Sequence, residues 1–201
     1  MNMFEEKLLK QYGRESYEKI RNIRIGIAGA GGLGSNCAFN LVRAGFRKLV
    51  IADFDVVSPS NLNRQFFFLD QVGMAKVEAL EVNLKRINPD IEVKTYNGKV
   101  TCSNATEIFS SCEIVAEAFD RVDQKTMLVG SILKTGKFVV AGSGLGGYGE
   151  SDQIKTFKIG RNLVVVGDLN SDVISNPPVS PRVNVAAAKQ ADVILERVLC
   201  E

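Results

Sequence analysis

Hydrophobic and polar positions along this chain switch between two periods, and the switches mark out its elements. Over residues 3–21, Phe4, Leu8, Leu9, Tyr12 and Tyr17 recur near helical spacing with charges between them, which predicts one amphipathic N-terminal helix. Arg24-Ile-Gly-Ile-Ala-Gly is then a short apolar run ending in glycine, the pattern of a parallel strand buried on both faces. A helix over 33–44 and a second apolar strand, Leu49-Val-Ile-Ala-Asp53, follow. A polar loop spans 54–65, and a helix over 74–87 stops before Asn88-Pro89, because proline disfavours helical geometry in its predecessor.

The alternation continues with a strand at 91–96, a helix at 104–110, a strand at Ile114–Ala118, a helix at 122–135 and a strand at Lys137–Ala141. Strands alternating with helices imply crossover connections and a mostly parallel sheet with helices on both faces. After residue 150 the texture changes. Residues 153–158 and 162–166, joined by Gly160-Arg161, read as an antiparallel hairpin. A loop rich in Asn, Ser and Pro (170–182) leads into a closing helix over 183–199. The expected organisation is one domain, 1–201: an N-terminal helix (1–22), a core (23–150), then hairpin, crossover loop and closing helix (151–201).

Composition narrows the chemistry. The 201 residues are 45% hydrophobic and 24% charged, with a net charge of +2, which argues against a nucleic-acid binder driven by bulk electrostatics. No apolar run approaches the roughly 20 residues of a membrane span, and the charged N-terminus has no apolar signal core, so the expected location is the cytoplasm. There is no histidine, which removes Ser-His and Cys-His catalysis together with imidazole metal sites. Cys37, Cys102, Cys112 and Cys200 form no C-x-x-C pair, so neither a zinc knuckle nor a redox dithiol is expected, and the thiols read as buried or incidental.

Gly29-Ala-Gly31-Gly32-Leu-Gly34 stands directly between a strand and a helix. Glycines there permit a tight turn and let backbone amides approach a phosphate at a helix N-terminus. Asp53 closes the next strand, where a carboxylate can bind ribose hydroxyls. Together with the alternation of strands and helices this is the pattern of a Rossmann-like nucleotide-binding fold, which by itself does not choose among NAD, FAD and ATP. The following segment does. Asp53, Asp55, Asn61, Arg64 and Gln65 share one loop, and Lys76 follows after Gly73. A dehydrogenase has little use for such a cluster, whereas an enzyme splitting a triphosphate between its α and β positions must stabilise charge growing on pyrophosphate.

The glycine run, the D-x-D-x-V-x-x-S-N-L-x-R-Q stretch and the following G-x-x-K resemble the signature of the ThiF/MoeB branch of the ubiquitin-activating superfamily, most closely from Arg24 to Pro89. The resemblance implies that Asp53 holds the ATP ribose, that Asn61, Arg64 and Lys76 grip the triphosphate, and that Gln65 supports them. It implies that Asp120 holds Mg²⁺, the alternative for Asp120 being a helix N-cap. It further implies a homodimer in which an N-terminal arginine, here Arg14, reaches the partner's site. The expected reaction is ATP-dependent adenylylation of the C-terminal glycine carboxylate of a small ubiquitin-like sulfur carrier of the ThiS type ending in Gly-Gly, in thiamine thiazole formation. Other carriers, an NAD- or FAD-dependent oxidoreductase and a catalytically silent binding module are the competing readings.

The sequence also departs from the family pattern. The paired C-x-x-C zinc site of longer relatives is absent, the loop Asp168 to Arg182 has no cysteine, and Arg121 stands where many relatives have asparagine. The expected enzyme therefore stops at the adenylate. The glycines Gly142, Gly144, Gly146, Gly147 and Gly149 admit two readings, a track for a Gly-Gly tail or a flexible connection into the hairpin.

Overall fold

The computed structural model describes residues 1–171 and 175–200. Its centre is a seven-stranded sheet built from β1 (Arg24–Ala28), β2 (Lys48–Asp53), β3 (Glu92–Asn97), β4 (Ile114–Glu117), β5 (Phe138–Gly142), β6 (Lys155–Ile159) and β7 (Leu163–Gly167). The spatial order is β3-β2-β1-β4-β5-β7-β6, and every pairing is parallel except β6 with β7. The α/β, mostly parallel architecture with a closing antiparallel hairpin is thus as the periodicity predicts.

Strand alternation divides the interior into two cores. Ile25, Ile27, Leu49, Ile51, Ile114, Ala116 and Val140 face α3 (Gly32–Arg43), α4 (Lys76–Ile87) and α7 (Ser180–Cys200). Val50, Ala52, Val115 and Val139 face the opposite side, where α5 (Ala105–Ile108) and α6 (Val122–Leu133) lie. Gly26 on that side is a packing requirement: a Cβ there would stand 2.6 Å from the ring of Phe109.

Three expectations are corrected. The single helix over 3–21 is two, α1 (Met3–Tyr12) and α2 (Arg14–Asn22). Gly13 between them has φ 79, a conformation that glycine alone adopts at little cost, so the chain turns a corner where periodicity predicts continuity. The corner lets Tyr17 and Ile20 fold beside Leu8 against Gly45. The helix expected at 104–110 is a single turn, Ala105–Ile108. The closing helix begins at Ser180, before Pro181 and Arg182, because proline fits the first turn of a helix, where no backbone donor is needed. Residues 172–174 of the expected crossover loop lie outside the described residues.

The hairpin adds a detail that periodicity does not carry. Its second strand, β7, joins the parallel body beside β5, and β6 lies outermost. The reason is composition: Leu163-Val-Val-Val can be buried, whereas Lys155-Thr-Phe-Lys-Ile carries the polar positions that an edge tolerates. Among the described residues no helix is long and apolar enough to cross a membrane.

Candidate functional site

The site grows from the carboxyl ends of β1, β2 and β4, where adjacent parallel strands diverge to opposite sides. Gly29 leaves β1 with φ 100 and its N–H donates to Ala52 O at 2.8 Å. Gly34 is held by contact instead: a Cβ there would meet Gly29 O at 1.8 Å, so the first turn of α3 lies directly on the loop. Gly31 and Gly32 differ from these. The nearest atom to a Cβ on Gly31 is Gln65 Nε2 at 3.9 Å, and one on Gly32 would touch Val183 and the Arg64 stem at 3.1 and 3.4 Å. The loop is therefore braced at Gly29 and Gly34, crowded at Gly32 and open at Gly31, which leaves room there for a phosphate to approach the backbone.

Asp53 ties this loop to the next segment. Its Oδ2 accepts the Ala30 N–H at 2.6 Å and its Oδ1 accepts the Asp55 N–H at 2.8 Å. Burial pushes its carboxyl above the ordinary carboxylate value, and the two amides and Lys76 offset only part of that. Asp55 and Lys76 pair at 2.8 Å, with the Lys76 side chain 7% exposed and that of Asp55 49% exposed. The backbone repeats the link, since Lys76 N–H donates to Asp55 O. Val56 and Ala75 form a β-bridge beside it, so Lys76 is delivered to the rim by a clamped loop.

Asn61 builds the turn that presents Arg64. Its Oδ1 accepts the Ser58 N–H at 3.0 Å and its carbonyl accepts the amides of Arg64 and Gln65, which leaves its Nδ2 amide to donate. The Arg64 guanidinium touches only neutral oxygens, Ser60 O and Asn63 Oδ1, and forms no ion pair among the described residues. Gln65 is 9% exposed and its Oε1 is buried without a partner. Such an atom calls for a donor, and none is supplied among the described residues.

Asp120 completes the rim. It follows Phe119 after β4, two residues beyond Ala118, whose carbonyl adjoins Gly29. It is exposed and has no partner among the described residues. It does not cap α6, since the N-cap position is Arg121 and no side chain caps that end. Arg121 turns away into an exposed pair with Asp123 at 3.1 Å. Arg14 is the one predicted residue that is not gathered here. It opens α2, which packs by Gly45 at the far end of α3, about 18 Å of helix from the glycine loop.

Several contributing residues carry no legible signal in the sequence. Asn36 Nδ2 donates to Gly32 O and Arg64 O at 2.7 and 2.9 Å, and Ser35 Oγ accepts the Phe66 N–H. These two side chains lace α3 to the segment that carries Arg64 and Gln65. Beneath Asp120, Glu117 is fully buried, accepts the Phe119 N–H at 2.7 Å and pairs with Lys125 at 3.1 Å. Lys125 also donates to Gly142 O at 2.9 Å. Burial raises the Glu117 carboxyl above its ordinary value despite the Lys125 charge. Cys37 and Cys112 are buried, and burial pushes both thiols up to about 12, so neither offers a thiolate near neutral pH. Cys102 and Cys200 are exposed.

A glycine loop, a carboxylate bonded to it, two cations, an amide donor and a carboxylate with no partner among the described residues are groups of the kind that a nucleoside triphosphate and a divalent cation require. A single carboxylate beside phosphate oxygens is the usual way to hold Mg²⁺.

Comparison with known proteins gives a family and a fold. The ThiF family profile matches residues 4–162. A ubiquitin-like modifier-activating enzyme 5 from Branchiostoma floridae is 45% identical over 87 residues, 43% of this chain and 22% of that protein. The adenylyltransferase and sulfurtransferase UBA4 of Eremothecium gossypii is 37% identical over 139 residues, 69% of this chain and 31% of that protein. The chain thus spans under a third of the length of these relatives. The E. coli tRNA N6-threonylcarbamoyladenosine dehydratase TcdA, solved with AMP, superposes with a TM-score of 0.86 at 22% identity, over 97% of this chain and 93% of that one. E. coli MccB, solved with AMPCPP and MccA, gives 0.70 at 20% identity over 93% and 60%. At those identities the structural likeness establishes the fold.

Proposed function

The chain belongs to the ThiF family, and on that premise we propose that it is an adenylyltransferase: it uses ATP to adenylylate the C-terminal glycine carboxylate of a small ubiquitin-like sulfur carrier of the ThiS type, in thiamine thiazole formation. The observation that supports this reading is that Asp53 bonds to the glycine loop at Ala30, the Arg64 stem lies by Gly32, Ala118 just before Asp120 adjoins Gly29, and Lys76 pairs with Asp55 beside Asp53.

In this reading each residue keeps the role that the family resemblance implies. Amides of the glycine loop face the phosphates, and the remaining lone pairs of Asp53 accept from the ribose hydroxyls. Asp120 would hold Mg²⁺, which when bound would supply charge neutralisation on the phosphate oxygens. The carrier's carboxylate is already ionised at neutral pH and attacks the α-phosphorus. The bond to the β-phosphate oxygen breaks, and the products are an acyl-adenylate and pyrophosphate. No general base is needed, in keeping with a chain that has no histidine. Arg64 and Lys76 stabilise the charge that grows on the departing pyrophosphate, and rate comes from orientation and from these fixed cations. The names of two relatives, a modifier-activating enzyme and a combined adenylyltransferase and sulfurtransferase, favour a carrier carboxylate as the acceptor of AMP.

The reading includes a homodimer. Arg14 cannot reach the cradle of its own chain, so it serves catalysis only through a second copy, whose site is incomplete without it.

The test is ATP–pyrophosphate exchange with Mg²⁺ and a purified ThiS-like carrier ending in Gly-Gly. Carrier-dependent exchange that collapses in Arg64→Ala and Asp120→Ala is the expected result. ATP binding without exchange, for this and other Gly-Gly carriers, would replace the reading with that of a silent module. A preference for NAD over ATP would overturn it altogether.

A further inference from the structure

Beyond the nucleotide cradle lies a second buried ion pair that the sequence does not announce. Asp168 and Arg182 form a hydrogen-bonded pair with side chains only 6% and 5% exposed. Arg182 Nη1 also donates to Gly149 O at 2.7 Å and Glu150 O at 3.1 Å. Asp168 Oδ1 accepts the amides of Asn170 and Ser171 at 2.8 and 2.7 Å. Burial pushes the Asp168 carboxyl up, but these amides, the Ser171 hydroxyl and Arg182 together outweigh it and hold the group below its ordinary value.

The pair organises the glycine segment 142–150. Ser143 N–H donates to Val166 O, Leu169 N–H to Ser143 O, Asp168 N–H to Gly144 O, Gly146 N–H to Ser171 Oγ and Gly147 N–H to Asn176 O. A Cβ on Gly144 would meet Asp168 Oδ1 at 2.0 Å, and one on Gly167 would meet Ser143 O at 1.5 Å. The segment is therefore tied by hydrogen bonds and close contacts to β7, to Ser171 and Asn176, and to the start of α7. Glu150 (φ 46) and Leu169 (φ 61), the two non-glycine residues held left-handed among those described, both flank the pair. Strain of that kind persists where surrounding structure imposes it, commonly at functional sites.

This segment also abuts the cradle. A Cβ on Gly142 would meet Leu33 at 2.3 Å, and Val183, next to Arg182, lies against Gly32. A substrate carboxylate approaching the α-phosphorus from this side must cross it. We propose that the Asp168–Arg182 pair is a positioning device for the acyl substrate, fixing segment 142–150 as the bed for the carrier's side-chain-free tail. This rests on the adenylylation reading. The pair acts through the backbone it holds and touches no reacting atom.

The experiment compares three forms of the full chain: wild type, Arg182→Lys, and the double variant Asp168→Asn with Arg182→Met. Lysine keeps the charge but cannot span Asp168 and two carbonyls as a planar fork does. The double variant removes both charges, so no unpaired ion is left buried, and thermal melting checks that the fold is kept. The expected result is a rise in carrier KM of about tenfold in both variants, with ATP affinity changed less than about twofold. Amide hydrogen exchange over Gly144–Gly149 should quicken in both. Unchanged carrier KM in a variant that melts like wild type, or equal losses for ATP and carrier, overturns the proposal. Unchanged amide exchange also overturns it. Wild-type exchange that needs no carrier would sink the functional reading as well, and that outcome is recognisable because no variant is involved.

Discussion

Replacing Lys76 by Met separates a catalytic cation from a structural one. Methionine keeps most of the buried stem and deletes only the ammonium, whose partner in the free chain is Asp55 at 2.8 Å. The Asp55 side chain is 49% exposed, so after the substitution water solvates the carboxylate and no buried ion is stranded. An ion pair with one well-solvated partner contributes about 0–1 kcal/mol, so the melting temperature should fall by no more than about 4 °C for a chain of this size. The transition state differs. There the ammonium faces charge developing on pyrophosphate in a partly enclosed site, where loss of one fixed donor costs roughly 10²–10³ in kcat, or about 2.7–4 kcal/mol. Thermal melting and carrier-dependent pyrophosphate exchange, measured on the same preparation, should therefore disagree by orders of magnitude. Exchange within about threefold of wild type, or a loss that tracks a large fall in melting temperature, would refute the assignment of Lys76 to the departing pyrophosphate.

Lys125→Met should show the opposite balance, because its partner Glu117 is fully buried: an expected loss of about 3–5 kcal/mol at neutral pH, read by chemical denaturation. The Glu117 carboxyl is already raised, so the folded chain holds its proton more tightly than the unfolded one; the deficit should shrink as pH falls and Glu117 protonates, and a pH-independent deficit would count against an ionic origin. Gly31→Ala should melt like wild type yet bind ATP more weakly, since its Cβ meets nothing nearer than 3.9 Å in the chain but fills the cradle. Gly34→Ala should fail to give folded protein at all, as its Cβ would stand 1.8 Å from Gly29 O, and equal melting curves for the two variants would refute this division. Inactive Arg14→Ala and Arg64→Ala chains, mixed equally and allowed to exchange subunits, should regain about a quarter of wild-type activity, because half the dimers then carry one complete site. No recovery, with subunit exchange verified, would remove Arg14 from the site.

What the sequence determined by itself is whatever depends on neighbours close along the chain. Period and glycine placement gave each strand and most helices, and the cradle was legible because Gly29–Gly34 and the Asp53–Gln65 loop each concentrate their chemistry within a few residues. Gly13 was misread for the same reason: helical periodicity runs through it, and only the packing of Tyr17 and Ile20 by Leu8 and Gly45 shows that the chain must bend there. Periodicity reads both β6 and β7 as strands, and the tertiary structure shows that the apolar β7 takes the place beside β5 while the more polar β6 lies at the edge. Tertiary structure also decided which charges are paired. Lys125, Arg182 and Asp168 look like ordinary surface residues in a helical or loop pattern, Glu117 is a lone charge at the end of an apolar strand, and they become buried pairs only when strand ends and helix starts converge. An isolated charge in a sequence carries no mark of its dielectric surroundings, and those surroundings are set by the elements the fold brings around it.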